Sequence, residues 1–251
     1  MRIPRFYFPD ALAPGARVSL PKEAAHHALR VLRMSEDDQV MLFNGDGHLY
    51  RAKILRADKQ DVVVLIEQGA KASSESPLSV TLVQGISSGE RMDFSLQKSV
   101  ELGITAIQPI QAERSVVKLS GERKEKRLRH WQQIVIAACE QCGRNVVPEV
   151  RPVLGLMEWL GEPASGVGHQ ASGEVLRIHL SPEAERSLRD LEKPTGPIEL
   201  AVGPEGGFSE QEHTALRQCG FVGVKLGPRV LRTETAALAA LAAMQTCWGD
   251  F

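Results

Sequence analysis

Two glycine- and proline-bearing turns near the end of the chain constrain the fold more than any other feature. The first reads Val202-Gly203-Pro204-Glu205-Gly206-Gly207-Phe208-Ser209, the second Leu226-Gly227-Pro228-Arg229-Val230-Leu231-Arg232-Thr233-Glu234-Thr235. Each follows a short apolar run with strand composition and opens into a helical pattern. Strand, turn and helix in succession imply a parallel sheet, because parallel neighbours need a crossover. Turns at strand ends are where an open α/β sheet places its ligand. With an arginine in the second turn, the pair suits a cofactor and its reacting partner.

The same alternation extends backwards. Strands are expected at Leu78 to Gln84, Ile104 to Ile110, Val175 to Leu180, Ile198 to Val202 and Val222 to Leu226. Helices are expected from a capping box at Ser87-Ser88-Gly89-Glu90 to Glu101, with Gly103 just past the end. Others run over Arg123 to Cys142, Val153 to Leu160, Pro182 to Leu191, Ser209 to Cys219 and Thr233 to Cys247. Trp131, Ile134, Val135 and Ala138 share the inward face of the long helix. This reads as five parallel strands with helices on both faces.

The first seventy residues have a different texture. Short strands are expected at Val18 to Leu20, Gln39 to Phe43, Leu49 to Leu55 and Val62 to Ile66, with turn chemistry at Asn44-Gly45-Asp46-Gly47. Pro21 to Met34 has a helical pattern, its stripe formed by Ala24, Ala25, Ala28, Leu29 and Leu32. Short strands with one helix suggest a small barrel or sandwich. Lys71 to Pro77 reads as a linker. The chain therefore divides into residues 1–73 and 74–251.

Composition excludes several classes. With 251 residues, 43% hydrophobic and 24% charged, the chain has the make-up of a globular protein. A formal net charge of -1 argues against bulk nucleic-acid binding but permits a local basic patch. No apolar run reaches about 18 residues, so no membrane span is expected. The opening Met1-Arg2-Ile3-Pro4-Arg5 lacks the apolar stretch of a secretory signal. Four cysteines in a chain able to bury its own core suggest a reducing compartment, and the cytoplasm is the expected location.

The motifs narrow the chemistry. Neither G-x-G-x-x-G nor a Walker loop occurs, so ordinary dinucleotide chemistry and nucleotide hydrolysis lose ground. Gly203 to Ser209 is either a plain tight turn or a backbone cradle. Ser209 with Glu212 makes a capping box, and free N–H groups there could hold a carboxylate or an adenine edge. Arg229 and Arg232 either meet a polyanion or line a solvated helix entrance; Thr233 is a candidate N-cap. The small-residue helix Ala236 to Met244 suits close packing, in the core or against a second copy. Cys139 and Cys142 end a helix rather than start one and have no second pair, which favours core packing over redox or zinc. No metal site is expected: adjacent His26 and His27 point apart on a helix.

Two basic stretches remain. Arg114 to Arg151 holds nine Lys or Arg against four Glu. Arg123 and Lys124 lie there on a face that either is merely solvated or tracks phosphates. Arg144 follows Gly143 and reads as a rigidly presented charge. At the front, Arg2, Arg5, His27, Arg30 and Arg33 gather on the small domain, where a basic face can sit on phosphates.

Four segments, taken together, resemble a known family. They are Glu101-Leu102-Gly103, Glu140-Gln141-Cys142-Gly143-Arg144, Gly203 to Phe208, and Leu226 to Ala236. In this order they are similar to the bacterial 16S ribosomal RNA (uridine-N3) methyltransferases of the SPOUT superfamily, over essentially the whole chain. The resemblance implies an α/β fold: a SPOUT-type parallel sheet with a C-terminal deep trefoil knot, preceded by a small PUA-like β-barrel that helps hold RNA. It implies a homodimer that binds S-adenosyl-L-methionine and acts on 16S rRNA of the small ribosomal subunit. Cofactor contacts are expected from Leu180, Val202, Gly203, Glu205, Gly206, Leu226, Gly227, Val230, Leu231, Thr233 and Ala236. Arg232 is the first candidate to stabilise charge on the target base, Arg144 the second, and Glu205 stands beside them in the catalytic set. Arg5 is a candidate clamp on phosphate or base. The alternatives are a related SPOUT enzyme acting on tRNA or on a ribose 2′-OH, and a non-catalytic RNA-binding ribosome assembly factor.

Overall fold

Alternating burial builds the first sheet. In a computed structural model that describes residues 3–58, 61–72, 74–161 and 173–251, the strands are β1 (Arg5–Tyr7), β2 (Arg17–Ser19), β3 (Gln39–Phe43), β4 (His48–Ala57) and β5 (Val62–Lys71). Tyr50, Ala52 and Ile54 on β4 point inward with Val62, Val64 and Ile66 on β5. This period of two puts one face of each strand into a core shared with Phe6, Val40 and Leu42. The spatial order is β1-β3-β4-β5-β2. β1 runs parallel to β3, and the remaining pairs are antiparallel. At three residues, β1 is too short to announce itself by alternation.

The helix expected over Pro21 to Met34 is shorter and changes pitch. Helix α1 (Lys22–His26) passes into a π-type turn, His27–Val31. Ala24, Ala25 and Ala28 are buried as expected, but the wider turn rotates Leu32 outward, and it is 41% exposed. Arg33 then takes a positive φ of 55° that ends the element.

The second sheet is parallel throughout. Its strands are β6 (Val80–Gly85), β7 (Ala106–Gln111), β8 (Glu149–Val150), β9 (Leu154–Gly155), β10 (Leu176–Leu180), β11 (Ile198–Val202) and β12 (Val222–Val224). The order is β12-β10-β11-β6-β7-β8, with β9 also on β7. Two two-residue strands therefore join the five expected. Every residue of β6 is buried, as befits a strand covered on both faces. β10 lies between β11 and β12, so the chain passes over β10 on its way to the sheet edge. Because these strands are parallel, the segments leaving β10, β11 and β12 emerge at the same end of the sheet.

Helices α2 (Gly89–Glu101), α3 (Glu122–Cys142), α4 (Leu156–Gly161), α5 (Glu210–Gln218) and α6 (Thr233–Trp248) complete the chain. Gly103 follows α2 with φ 86°, the left-handed stop expected there. Ser88 caps α2 by position only, since its side chain makes no capping bond. On α6, Gln245 receives a hydrogen bond from Ser76 Oγ (2.9 Å) and donates Nε2 to the Leu102 carbonyl (2.8 Å). That buried amide fixes α6 against the end of α2. The helix expected over Pro182 to Leu191 reduces to a single 3-10 turn, Leu188–Asp190. Asp190 accepts from Ser187 N (2.7 Å) and Oγ (2.9 Å), and such local bonds compete with helix formation.

The chain forms two compact units: Met1–Glu75 with Cys139–Val147, and Ser76–Ala138 with Pro148–Phe251. A single cut at residue 73/74 leaves out the return of Cys139–Val147 to the first unit. Among the described residues no helix is long and apolar enough to cross a membrane. The loose segment expected near Gly161 to Gly173 lies mostly outside the described residues.

Candidate cofactor and active site

Chain breaks in the sheet make the site. β11 ends at Val202, and the glycine-rich loop 203–208 turns back at once, with Gly207 N bonded to the Pro204 carbonyl at 2.9 Å. The end of β6 lies directly against this turn. A Cβ on Gly85 would stand 2.4 Å from Pro204 N, so only glycine fits there. Ser209 and Glu212 form the expected capping box at the start of α5 (2.8 and 3.3 Å). Glu212 also accepts from Glu113 N at 2.8 Å. The box consumes N–H groups at Ser209 and Glu212 that sequence reasoning left free for a ligand.

Glu205 secures the loop from the other side. Its Oε1 accepts from Ser88 N (2.8 Å), Ser88 Oγ (2.8 Å) and Arg91 Nη1 (3.2 Å). Burial works against its charge, but the Ser88 backbone and side-chain bonds and Arg91 outweigh it and hold the carboxyl below its ordinary range. Its Oε2 is buried without a partner among the described residues. These bonds make Glu205 an anchor of the loop.

Thr233 joins three segments. It is the first residue of α6, with Arg232 rather than Thr233 in the cap position. Thr233 Oγ1 donates to the Gly203 carbonyl (2.6 Å) and accepts from Gln84 Nε2 (3.0 Å). The second loop, after β12, contrasts with the first. Gly227, Pro228, Arg229 and Val230 are exposed, and Gly227 holds φ 84°.

Between the two loops lies a cavity of about 400 Å³. Each residue expected to hold a cofactor lines it. Leu180 comes from β10; Val202, Gly203, Glu205 and Gly206 from β11 and its loop; Leu226, Gly227, Val230 and Leu231 from the second loop; and Thr233 and Ala236 from α6. Arg232 lines it too and is exposed. Sequence reasoning missed Arg91, His213 and the position of Glu234, all cavity-lining. His213 stands on α5 with its ring 5.2 Å from that of His179 and edge-on to Phe208. Burial lowers both histidines, His179 to about 4, so both rings are neutral near pH 7. Only the capping box before α5 hinted that this helix faces a site.

Other expected site residues lie elsewhere. Arg144 does not line the cavity. Its side chain is 5% exposed and forked onto Glu75 Oε2 through Nε (2.8 Å) and Nη2 (2.6 Å). Its charge is engaged in a buried ion pair within the first unit. Arg5 is likewise committed. Its Nη2 donates to the Arg144 carbonyl (2.9 Å) and Asn145 Oδ1 (2.7 Å), and its guanidinium lies over Phe43. It ties β1 to Cys139–Val147. His27, Arg30 and Arg33 share one exposed stretch. Arg123 is exposed at the start of α3, while Lys124 Nζ donates to the Val153 carbonyl at 3.1 Å. Arg2 lies outside the described residues.

The cavity suits a nucleoside bearing a charged tail. It has apolar walls in Leu180, Val202, Leu226 and Leu231. It also has buried, unpartnered polar atoms in lining residues: Glu205 Oε2, Glu234 Oε2 and His213 Nδ1.

A parallel sheet with three consecutive strand ends around one such cavity, preceded by a small β domain, fits the architecture expected of an RNA methyltransferase of the SPOUT class. The model of the RNA methyltransferase domain family matches residues 74–245, and that of the RNA methyltransferase PUA domain matches residues 20–67. A ribosomal RNA small subunit methyltransferase E from Neisseria gonorrhoeae, solved with S-adenosyl methionine bound, is 47% identical over the full length of both chains, with a TM-score of 0.90. A Legionella pneumophila protein in complex with the same cofactor is 41% identical over the full length of both, at 0.92. The ribosomal RNA small subunit methyltransferase E of Buchnera aphidicola (from Schizaphis graminum) is 36% identical over 99% of this chain and 98% of its own. This chain belongs to the ribosomal RNA small subunit methyltransferase E family.

Proposed function

We propose that this protein transfers a methyl group from S-adenosyl-L-methionine to N3 of a uridine in 16S ribosomal RNA of the small subunit. The observation that carries the reading is the cavity itself: three strand-end segments enclose it, and the exposed Arg232 stands at its side. A full-length relative that holds this cofactor supports it.

The cofactor supplies an electrophilic methyl carbon on a sulfonium. The chain's own residues do the rest. Leu180, Val202, Leu226 and Leu231 wall off water, and the Gly203–Gly206 and Gly227–Leu231 backbones supply the polar edge. Glu205, Ser88 and Arg91 keep the first loop in place, so positioning is preset before the RNA arrives. Uracil N3 carries a proton and is a weak nucleophile until that proton leaves. Its loss spreads negative charge onto O2 and O4, and Arg232 stabilises that charge. N3 lies on the Watson–Crick edge, so the target is unpaired or flipped when it reacts.

In the same reading residues 1–73 hold RNA, with His27, Arg30 and Arg33 toward phosphates, and residues 74–251 carry the chemistry. The passage of the chain over β10 belongs to a trefoil knot, the protein works as a homodimer without a metal, and it acts in the cytoplasm. Nucleoside mass analysis of 16S rRNA tests the function. A deletion strain loses one N3-methyluridine, and the wild-type gene restores it while Arg232→Ala does not. An unchanged modification profile sinks the reading.

A further inference from the structure

Two of the residues that line the cavity carry aromatic rings, Phe208 and His213. Phe208 is buried and meets His213 edge-on, with ring centroids 5.8 Å apart and planes at 88°. The buried His179, on β10, stands 5.2 Å from the His213 ring. His213 itself is half-buried, so its ring is backed by two buried rings and keeps part of its own surface open. Its Nδ1 is the buried nitrogen, whereas in His179 both nitrogens are buried. Among the described residues neither His213 nitrogen makes a hydrogen bond, so nothing in the chain uses the open edge.

The ring also has a defined place among the strand ends. His179 directly precedes Leu180, and Phe208 closes the loop that starts at Gly203. His213 therefore packs where the segments carrying Leu180 and Gly203–Gly206 meet. S-adenosylmethionine presents a planar adenine, and planar bases gain by facing aromatic side chains, histidine among them. The donor also has a net positive charge, a sulfonium and an ammonium against one carboxylate, so a ring beside it serves best uncharged. Burial is the chief cause that holds the His213 ring below the ordinary histidine range, and Arg217 adds to it. Glu210, Glu183 and Glu212 pull the other way without reversing the result, and the neighbouring His179 is neutral.

We propose that His213 is a further residue of the donor site, its ring forming the flat wall against which the adenine of S-adenosylmethionine lies. The inference rests on donor binding and not on which RNA atom is methylated. His213 shields one face of the adenine from water and takes no part in the methyl transfer. It therefore sets donor affinity and not the rate of the chemical step.

The test is calorimetry on the full-length protein at pH 7.5 with S-adenosylmethionine and with S-adenosylhomocysteine, which keeps the adenosine and lacks the sulfonium charge. His213→Ala should weaken both ligands about tenfold. His213→Phe, which keeps a flat ring, should stay within about threefold of wild type. His213→Lys places a fixed charge in the wall and should weaken S-adenosylmethionine about tenfold more than S-adenosylhomocysteine. RNA affinity of His213→Ala should stay within about twofold, because the wall faces the donor. The wild-type protein offers a reading without substitution. Coupling is reciprocal, so S-adenosylmethionine should push the titration of the His213 ring signals further down than S-adenosylhomocysteine does. Unchanged affinity of His213→Ala for both ligands overturns the proposal, as does a His213→Phe variant as weak as His213→Ala. Loss of RNA affinity and thermal stability in step with donor affinity also overturns it, making the ring a packing element. Wild-type His213 signals that ignore both ligands overturn it even where the variants fail to fold. A wild-type protein that binds neither ligand overturns this and the proposed function together. Ligand binding as expected without methylated uridine removes the proposed function and leaves the wall standing.

Discussion

The two loops that enclose the cavity are built by opposite means. The loop 203–208 is tied from several sides: Ser88 and Arg91 hold Glu205, Thr233 holds the Gly203 carbonyl, and Arg114 Nη1 lies 3.4 Å from the carbonyls of Gly206 and Phe208. The loop after β12 is open. Val230 is 80% exposed, and among the described residues the side chains of Arg229 and Arg232 make no hydrogen bond or ion pair. One wall is fixed in advance and suits a small donor that must be held at one angle. The other keeps unspent charge, as a wall must if it is to meet RNA. Substitutions should therefore separate into two kinds: the fixed wall should respond to pH and to lost hydrogen bonds, the open wall to loss of charge and to salt.

Arg232→Ala should have the largest effect. Removing a group aimed at developing charge costs about 10²–10³ in rate, roughly 3–4 kcal/mol. Donor affinity should be retained, because the fixed wall is untouched. A parallel loss of donor binding, read by calorimetry, would break the division between walls.

The sheet beneath the cavity should show its pH dependence through His179 on β10, which is 2% exposed. Burial, with lesser help from His213 and Arg217, pushes this histidine down to about 4. The unfolded chain takes the proton near pH 6.5, whereas the native state refuses it. Stability is therefore complete above pH 6.5 and falls as pH drops toward 4, by something on the order of 3 kcal/mol. His179→Phe should flatten the thermal melting midpoint across that window. Glu205 acts lower down: its depressed carboxyl stabilises the fold above the ordinary carboxylate range and loses that effect as pH falls through its folded value. A Glu205→Gln variant that differs from wild type equally at pH 3 and pH 7 would contradict this.

Thr233→Val should cost less, about 1–3 kcal/mol, by removing one donor and one acceptor and leaving the Gly203 carbonyl and Gln84 amide short of a partner. Equilibrium unfolding in urea measures it. A change within a few tenths would mean that water replaces the hydroxyl and that the latch between β6, the first loop and α6 is weaker than its geometry.

These contrasts also explain what could be read from the residues in order. The two loops are legible because glycine and proline mark turns, and a capping box such as Ser209–Glu212 marks the helix behind one of them. The fixing of the first loop is not legible, since Ser88 and Glu205 meet only once β6 and β11 pair. The Arg144–Glu75 pair is illegible for the same reason: only folding brings Glu75 to the arginine beside Gly143. Pro182 to Leu191 has helical composition, but Ser187 and Asp190 satisfy each other locally and stop the helix. Strand order is invisible to periodicity, because every strand of a parallel sheet carries the same apolar pattern whichever neighbour it takes.

Arg229→Ala should have the smallest effect, and it tests the open wall most directly. Its guanidinium is exposed and lines the cavity mouth without a protein partner among the described residues. A contact with one phosphate releases condensed counterions, so removing it lowers the slope of log affinity against log salt by about 0.7–0.9. RNA affinity should fall only a few-fold at moderate salt, with the wild-type and variant curves converging as salt rises, because screening erases what the substitution removed. The rate at saturating RNA should hardly change, since the charge on the reacting base is met by Arg232. Parallel salt curves would mean that Arg229 touches no phosphate. The open wall would then be open for another reason, such as contact with a second copy of the chain.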